Sequence, residues 1–156
     1  DHVTQVQRLT EGDFLNLGEI NGTMARGKIT TLTDEHATIS LELGVQPPKP
    51  LPITVILALP RPKMLRRVLQ TIAAMGVKNI YLINSSRVEK SFWQSPFLQP
   101  QAIEEQLILG LEQAKDTILP SVHLRKLFKP FVEDELTETV DCSGELTTVT
   151  ALELDS

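Results

Sequence analysis

Positive side chains and a tryptophan are concentrated in one stretch of this sequence. The positions are Arg61, Lys63, Arg66, Arg67, Arg87, Lys90 and Trp93. Guanidinium and ammonium groups bind phosphate, and aromatic rings stack on unpaired bases. These residue types together indicate a surface that contacts nucleic acid. The formal net charge of the chain is -5, so such binding would have to come from a local patch and not from the whole surface.

The first cations belong to a predicted amphipathic helix near residues 62–75. At about 100° per residue, one side of this helix is apolar and carries Met64, Leu65, Val68, Leu69, Ile72 and Met75. The opposite side carries Lys63, Arg66, Arg67 and Gln70. Pro62 is suited to the first turn and Gly76 to the C-terminal stop. The alternative interpretation is that these cations only solvate an exposed face, as charged side chains commonly do.

The elements that must position these residues fall into two unlike parts. From Phe14 to Leu43 the pattern is that of antiparallel strands, with Asn21-Gly22 as a hairpin signal. Apolar strands at 53–59, 79–84 and 122–128 then alternate with helices near 62–75 and 100–118, which predicts a βαβαβ unit with a parallel sheet. Arg87 and Lys90 follow the second of these strands, on the side of an open α/β sheet where ligands bind.

We therefore predict an α/β protein with four segments. They are a small N-terminal β-barrel at 1–46, a proline-rich linker at 47–52, an α/β domain at 53–136 and an unassigned tail at 137–156. Three parallel strands are few for a sheet of this kind, since sheets usually have about five or six. The α/β domain is thus predicted to be incomplete at its C-terminal end.

The second helix has an apolar face with an opposite, mostly acidic side. The face comprises Ile103, Leu107, Gly110, Leu111, Ala114 and Ile118, and the acids are Glu105, Glu112 and Asp116. Ile108 and Leu109 interrupt the acidic side, which indicates a second packing partner, either a neighbouring element or another subunit. In the loop before this helix, Phe92 and Trp93 have an alternative role as anchors packed into the core or an interface.

Several classes of chemistry lack support in the sequence. The three histidines lie far apart and Cys142 is the single cysteine, so neither a metal site nor an internal disulfide is expected. Neither a phosphate-binding loop nor a dinucleotide fingerprint occurs. No apolar run approaches the roughly 20 residues of a membrane span, and nothing at the N-terminus has the pattern of an export signal. These features predict a soluble, cytoplasmic protein without a membrane partner.

Several segments of the sequence form a recognisable set: HVTQVQRLTEGD, NGTMARGKIT, PKMLRRVLQTIAAMGV, INSSRVEKS and LEQAKDTILP. Together they resemble the RsmE family, the SPOUT-class methyltransferases that act on uridine N3 of 16S ribosomal RNA. The resemblance covers roughly residues 1–136. It implies that the N-terminal β-barrel is a PUA-like RNA-binding unit, that the α/β domain is SPOUT-like and that the protein is a homodimer.

The resemblance also implies the partners and the site. The methyl donor is expected to be S-adenosylmethionine, and the substrate 16S ribosomal RNA or the small ribosomal subunit. The active-site region is expected to lie near Arg87, Glu112 and Gln113. The helix near residues 62–75, with its cationic side, is expected to face RNA. The family's Gly-Pro-Glu-Gly-Gly loop and its later Arg-x-Glu-Thr-Ala-like segment do not occur in this sequence. Two further hypotheses therefore stay open: a catalytically inactive RNA-binding module, and an α/β domain that only dimerises.

Overall fold

The computed structural model describes residues 10–33 and 36–136. Their contacts define two compact units. One contains the described residues up to Pro48 together with Lys115–Ile118. The other contains Lys49–Ala114 and the described residues from Leu119 onward. The predicted tail at 137–156 and the first nine residues lie outside the described ranges.

The first unit is an antiparallel sheet of three strands in the order β1-β2-β3. The strands are β1 (Phe14–Gly18), β2 (Met24–Leu32) and β3 (Ala37–Val45). Side chains alternate across it, so that Ile29 is buried while its neighbours Lys28 and Thr30 are exposed. The predicted strands are confirmed, but the predicted barrel is not. The described residues form an open sheet with β1 and β3 as its edges.

The β1–β2 turn is held by a segment distant in sequence. Asn21 has φ 60°, a left-handed conformation that asparagine tolerates, and Gly22 follows it. The backbone N–H of Asn21 donates to the carbonyl oxygen of Thr117 at 2.7 Å. The hydroxyl of Thr117 donates to the carbonyl oxygen of Gly22 at 2.5 Å. This reciprocal pair explains why Lys115–Ile118 belongs to the antiparallel unit.

The second unit has the predicted βαβαβ order with a parallel sheet, β4-β5-β6. Its elements are β4 (Leu51–Ala58), α1 (Pro62–Ala74), β5 (Val77–Ile83), two 3-10 turns (Lys90–Gln94 and Pro96–Leu98), α2 (Pro100–Ala114) and β6 (Ser121–Arg125). A short α3 (Phe128–Pro130) and a π-helical turn (Phe131–Leu136) follow. β4 begins at Leu51, two residues earlier than predicted.

The core lies between one face of the parallel sheet and the two helices. Leu65 and Leu69 of α1 and Ile80 and Leu82 of β5 are almost fully buried there. α1 and α2 approach closely, because a Cβ atom at Gly110 would overlap the carbonyl oxygen of Gln70.

The other face of the sheet carries a smaller aromatic cluster. The ring of Tyr81 stacks on that of His123, with centroids 4.7 Å apart, and lies 5.2 Å from the ring of Phe131. Phe131 is buried, so the segment after β6 covers this cluster.

The predicted ends of the second helix and of the last strand were wrong. The second helix ends at Ala114 and not near 118, because Lys115 adopts φ 52° and leaves the helical conformation. Asp116 is consequently buried instead of facing water, and its carboxylate accepts a 3.0 Å hydrogen bond from the N–H of Ile118. The last strand ends at Arg125 and not at 128, so Lys126 lies beyond it.

Candidate nucleic-acid interface

Most of the predicted cations lie at the carboxyl edge of the parallel sheet. Arg61 lies between the end of β4 and the start of α1, and Arg87 lies in the loop that follows β5. Two backbone hydrogen bonds join the strand ends, from Leu59 N–H to the Ile83 carbonyl at 2.9 Å and from Asn84 N–H to the Arg125 carbonyl at 3.1 Å. Residues that follow three different strands therefore share one edge, as parallel topology requires.

The beginning of α1 concentrates positive charge. Arg61 is the N-cap residue and Lys63 lies in the first turn, and both side chains are exposed. The first turn contains no acidic residue. A helix N-terminus carries partial positive charge, so cations here are locally unfavourable by about 0.3–1 kcal/mol each. A negatively charged ligand would reverse this effect, and helix N-termini are suited to anions.

Arg66 is held in place by an aromatic ring. Its guanidinium carbon lies 5.3 Å from the centroid of Phe97, in the second 3-10 turn. This contact joins the cationic face of α1 to the segment that follows Trp93. Arg67, one residue further along the helix, is exposed.

The predicted division of α1 into two faces was wrong at three positions. Gln70 is half-buried, and its side-chain Nε2 donates to Oε1 of Gln106 in α2 at 2.7 Å. It therefore lies in the interhelical contact and not on a free cationic face. Met64 and Met75 were predicted on the apolar side, but they are 42% and 60% exposed. Helical periodicity alone could not show that the sheet leaves this side of α1 uncovered.

Trp93 is an anchored residue. Its Nε1 donates to the side-chain oxygen of Asn84 at 3.2 Å, and its ring packs against the core. Phe92 packs there as well. These contacts favour the alternative role as loop anchors, while the ring of Trp93 stays partly accessible. Lys126 lies over this ring, with Nζ 5.9 Å from its centroid.

Lys126 is a cation of this edge that the sequence prediction missed. It directly follows β6, just as Arg87 and Lys90 follow β5. The predicted strand at 122–128 included Lys126 and so hid it. A strand ending at Arg125 would have placed Lys126 among the residues at the carboxyl edge.

The structure does not bring all predicted site residues together. Arg87 and Lys90 are exposed at the carboxyl edge of the sheet. Glu112 and Gln113 are exposed in the last turn of α2, from which the chain turns into the amino end of β6. Because α2 runs antiparallel to the strands, these two residues lie at the end of the helix opposite to the Arg87 loop.

A cavity of about 220 Å³ lies between α2 and β6. Its lining is Leu98, Pro100, Ile103, Glu104, Leu107, Leu119, Pro120, Val122 and Leu124. Ligand pockets usually measure about 300–1,000 Å³ and combine apolar walls with several polar groups. A donor with an adenine ring, a ribose and an amino-acid group does not fit this small, apolar cavity with its single carboxylate.

Residues 10–33 and 36–136 contain no cluster of three His, Cys, Asp or Glu that could hold a metal ion. Within the same ranges, none of the helices has the length and apolar character needed to cross a membrane.

Solved structures that share this fold include two bacterial proteins named as probable or putative methyltransferases. A probable rRNA methyltransferase from Porphyromonas gingivalis superposes with a TM-score of 0.66 at 18% identity, covering 85% of this chain and 55% of that one. A putative methyltransferase from Legionella pneumophila, solved with bound SAM, gives a TM-score of 0.62 at 17% identity and covers 85% and 56% of the two chains. The fold is therefore that of this group of α/β proteins.

The sequence comparison identifies the family. The RNA methyltransferase domain family matches residues 47–149, and this chain belongs to that family. It is 28% identical over 131 residues to ribosomal RNA small subunit methyltransferase E of Treponema pallidum, covering 83% of this chain and 49% of the relative. It is 31% identical over 75 residues to the corresponding protein 1 of Borreliella burgdorferi, covering 48% and 32%. The chain thus spans half or less of the length of these curated relatives. The resemblance to RsmE proteins is confirmed.

Proposed function

We propose that this protein acts as an RsmE-type RNA methyltransferase that uses S-adenosylmethionine to modify N3 of a uridine in 16S ribosomal RNA. Membership of the RNA methyltransferase domain family supports the class of activity. The names of its relatives support the small-subunit RNA as substrate. We further propose that the protein is a cytoplasmic homodimer, and that residues 1–46 form a PUA-like unit and 53–136 a SPOUT-like domain.

The observation that carries this proposal is the group of cations at the carboxyl edge of the parallel sheet, which are Arg61, Lys63, Arg87, Lys90 and Lys126. The exposed cations at the start of α1 oppose the helix dipole, and an RNA phosphate there would turn an unfavourable arrangement into a favourable one. Arg66 over Phe97 and Lys126 over Trp93 add two cations whose positions are restricted by aromatic contacts. Such an edge would allow a chain with net charge -5 to bind RNA through a local patch.

Roles follow for the individual residues. Arg61, Lys63, Arg66, Arg67 and Lys90 would contact phosphates, and Trp93 would support the loop and offer its accessible surface to a base. Arg87 would hold a phosphate or the target base. Glu112 and Gln113 stay predicted site residues by resemblance, at the far end of α2.

Matched charge reversals test the RNA contact. Arg67→Glu on the cationic face should weaken binding to a 16S rRNA fragment and reduce the slope of log affinity against log salt by about one. Lys49→Glu changes the net charge equally but lies in the segment between β3 and β4, and it should leave both quantities nearly unchanged. Equal effects of the two substitutions would contradict a local RNA site. Incorporation of radiolabel from methyl-labelled S-adenosylmethionine into the same RNA tests the activity itself.

An alternative is that this chain binds RNA without transferring a methyl group, because the Gly-Pro-Glu-Gly-Gly loop expected from the resemblance does not occur in the sequence. Isothermal titration of the 156-residue chain with S-adenosylmethionine separates the two functions. Donor binding together with RNA binding supports the methyltransferase. RNA binding without donor binding supports the RNA-binding module, and absence of RNA binding contradicts both.

A further inference from the structure

The net negative charge of this chain is concentrated in its tail, residues 137–156. The tail contains no Lys, Arg or His, and its acids are Glu138, Asp141, Glu145, Glu153 and Asp155. Its formal charge of -5 equals the net charge of the whole chain, so residues 1–136 are formally neutral. The charge that would repel an RNA phosphate therefore belongs, in sequence, to this one segment.

The described residues before the tail fix where it begins. Phe131 is buried, and its ring centroid lies 5.2 Å from that of Tyr81. Tyr81 is two residues before the end of β5, which corresponds to about 7 Å along the strand. The π-helical turn that starts at Phe131 ends at Leu136, directly before the tail. The tail thus begins near the carboxyl edge of the parallel sheet, and at up to about 3.3 Å per residue it is long enough to cross that edge.

Acidic and basic side chains already approach one another around this edge. A carboxylate oxygen of Glu133, in the π-helical turn, lies 3.7 Å from Nζ of Lys129. Both side chains are exposed, so this single pair contributes little to stability. Glu89 is the opposing group, because it lies beside Lys90, and its carboxylate accepts a 3.3 Å hydrogen bond from the hydroxyl of Ser91. One carboxylate is too few to neutralise the cations of the edge.

We propose that the tail binds to the cations at the carboxyl edge of the same chain and competes there with RNA. Five carboxylates match five exposed cations, which are Arg61, Lys63, Arg87, Lys90 and Lys126. Carboxylates at the start of α1 also interact favourably with the helix dipole, which the cations there oppose. Each exposed pair is weak, but covalent attachment raises the effective concentration of the tail at the edge. The contact itself is independent of the proposed function, whereas the competition rests on it.

The contact can be measured without RNA. Trp93 lies at the edge and Cys142 lies in the tail, and each is the single residue of its type. With an energy acceptor attached to Cys142, the emission of Trp93 should be quenched at low salt. The quenching should decrease in about 1 M NaCl, where the Debye length is about 3 Å. Arg61→Glu should decrease it at low salt, whereas Lys49→Glu, the same charge change at an exposed position between β3 and β4, should not.

The competition is measured with the full chain and a 16S rRNA fragment. Asp141→Asn combined with Glu145→Gln should strengthen binding about fivefold at low salt, since each exposed charge pair contributes a factor of about 1.4 to 5. The gain should shrink as salt is added. Glu19→Gln combined with Glu105→Gln changes the net charge equally at exposed positions and should leave the affinity nearly unchanged. Circular dichroism spectra that match the wild type establish that the variants are folded.

The outcomes separate the tail contact from the proposed function. Quenching that does not depend on salt overturns the contact. Unchanged affinity of the Asp141 and Glu145 double variant, while Arg67→Glu weakens RNA binding, overturns the competition and leaves the proposed function in place. Salt-dependent quenching in a chain without affinity for RNA supports the contact and contradicts both the competition and the proposed function. Quenching that increases with protein concentration places the tail on another copy of the chain and contradicts the proposal.

Discussion

The indole Nε1 of Trp93 donates a 3.2 Å hydrogen bond to the side-chain oxygen of Asn84. The bond links the first 3-10 turn to the residue that directly follows β5. It therefore determines where the loop with Arg87 and Lys90 lies relative to the carboxyl edge of the sheet. This tether makes the loop a structured part of the candidate interface.

Removing the acceptor of this bond should loosen the loop. Asn84→Ala leaves the half-buried Nε1–H without its partner, and a lost hydrogen bond of this kind costs about 1 kcal/mol. Trp93 is the single tryptophan of the chain, so its fluorescence reports the change directly. We expect red-shifted emission and stronger quenching by iodide. Asn79→Ala, which removes a 3.3 Å side-chain bond to Thr54 elsewhere on β5, should leave the emission unchanged.

The ring of Phe97 should contribute to RNA binding through Arg66. Phe97→Leu removes the aromatic surface 5.3 Å from the guanidinium and frees that side chain. A contact worth about 0.5–1 kcal/mol corresponds to a two- to fivefold loss of affinity in an anisotropy titration. Phe97→Tyr keeps the ring and should bind like the wild type. Equal affinity of the leucine and tyrosine variants would mean that the ring does not position Arg66.

Gly110 should be intolerant of a side chain. A Cβ atom there would overlap the Gln70 carbonyl and lie 2.8 Å from the Cβ of Ala73. Gly110→Ala should lower the free energy of unfolding by about 1–3 kcal/mol, because the two helices must separate. Gln101→Ala, at an exposed position of α2, is the matched control and should have little effect. Urea unfolding followed by circular dichroism measures both, and a stabilised Gly110→Ala variant would contradict the close helix contact.

Thr117 should stabilise the β1–β2 turn. Its side chain is buried, and its hydroxyl donates to the Gly22 carbonyl at 2.5 Å. Thr117→Val keeps the shape and leaves that carbonyl unpaired, at a cost of about 1–3 kcal/mol. Hydrogen exchange at the Asn21 amide, which donates to Thr117, should accelerate. Thr30→Val removes an exposed 3.1 Å bond to the Thr38 carbonyl in the same sheet and should not change exchange at Asn21.

The comparison of Lys90 with Lys126 illustrates how far the site could be predicted. Both residues follow strands of the parallel sheet, but only the first was recognised. Strand ends are determined by where the backbone hydrogen bonds stop, and the sequence around Arg125 gives no turn signal to mark that point. The burial of Asp116 was missed for a similar reason. It depends on the left-handed backbone of Lys115, which is not a residue type that indicates such a conformation.

The sequence by itself determined the order of elements, the parallel sheet and the concentration of cations around α1, because hydrophobic periodicity and residue type are local properties. The tertiary structure decided which surfaces are covered. It exposed Met64 and Met75, buried Thr117 against the β1–β2 turn and stacked Arg26 on Phe14. These outcomes depend on contacts between residues distant in the chain, or on which neighbouring element covers a given face. Such contacts form, and contribute to stability, only when the units have folded.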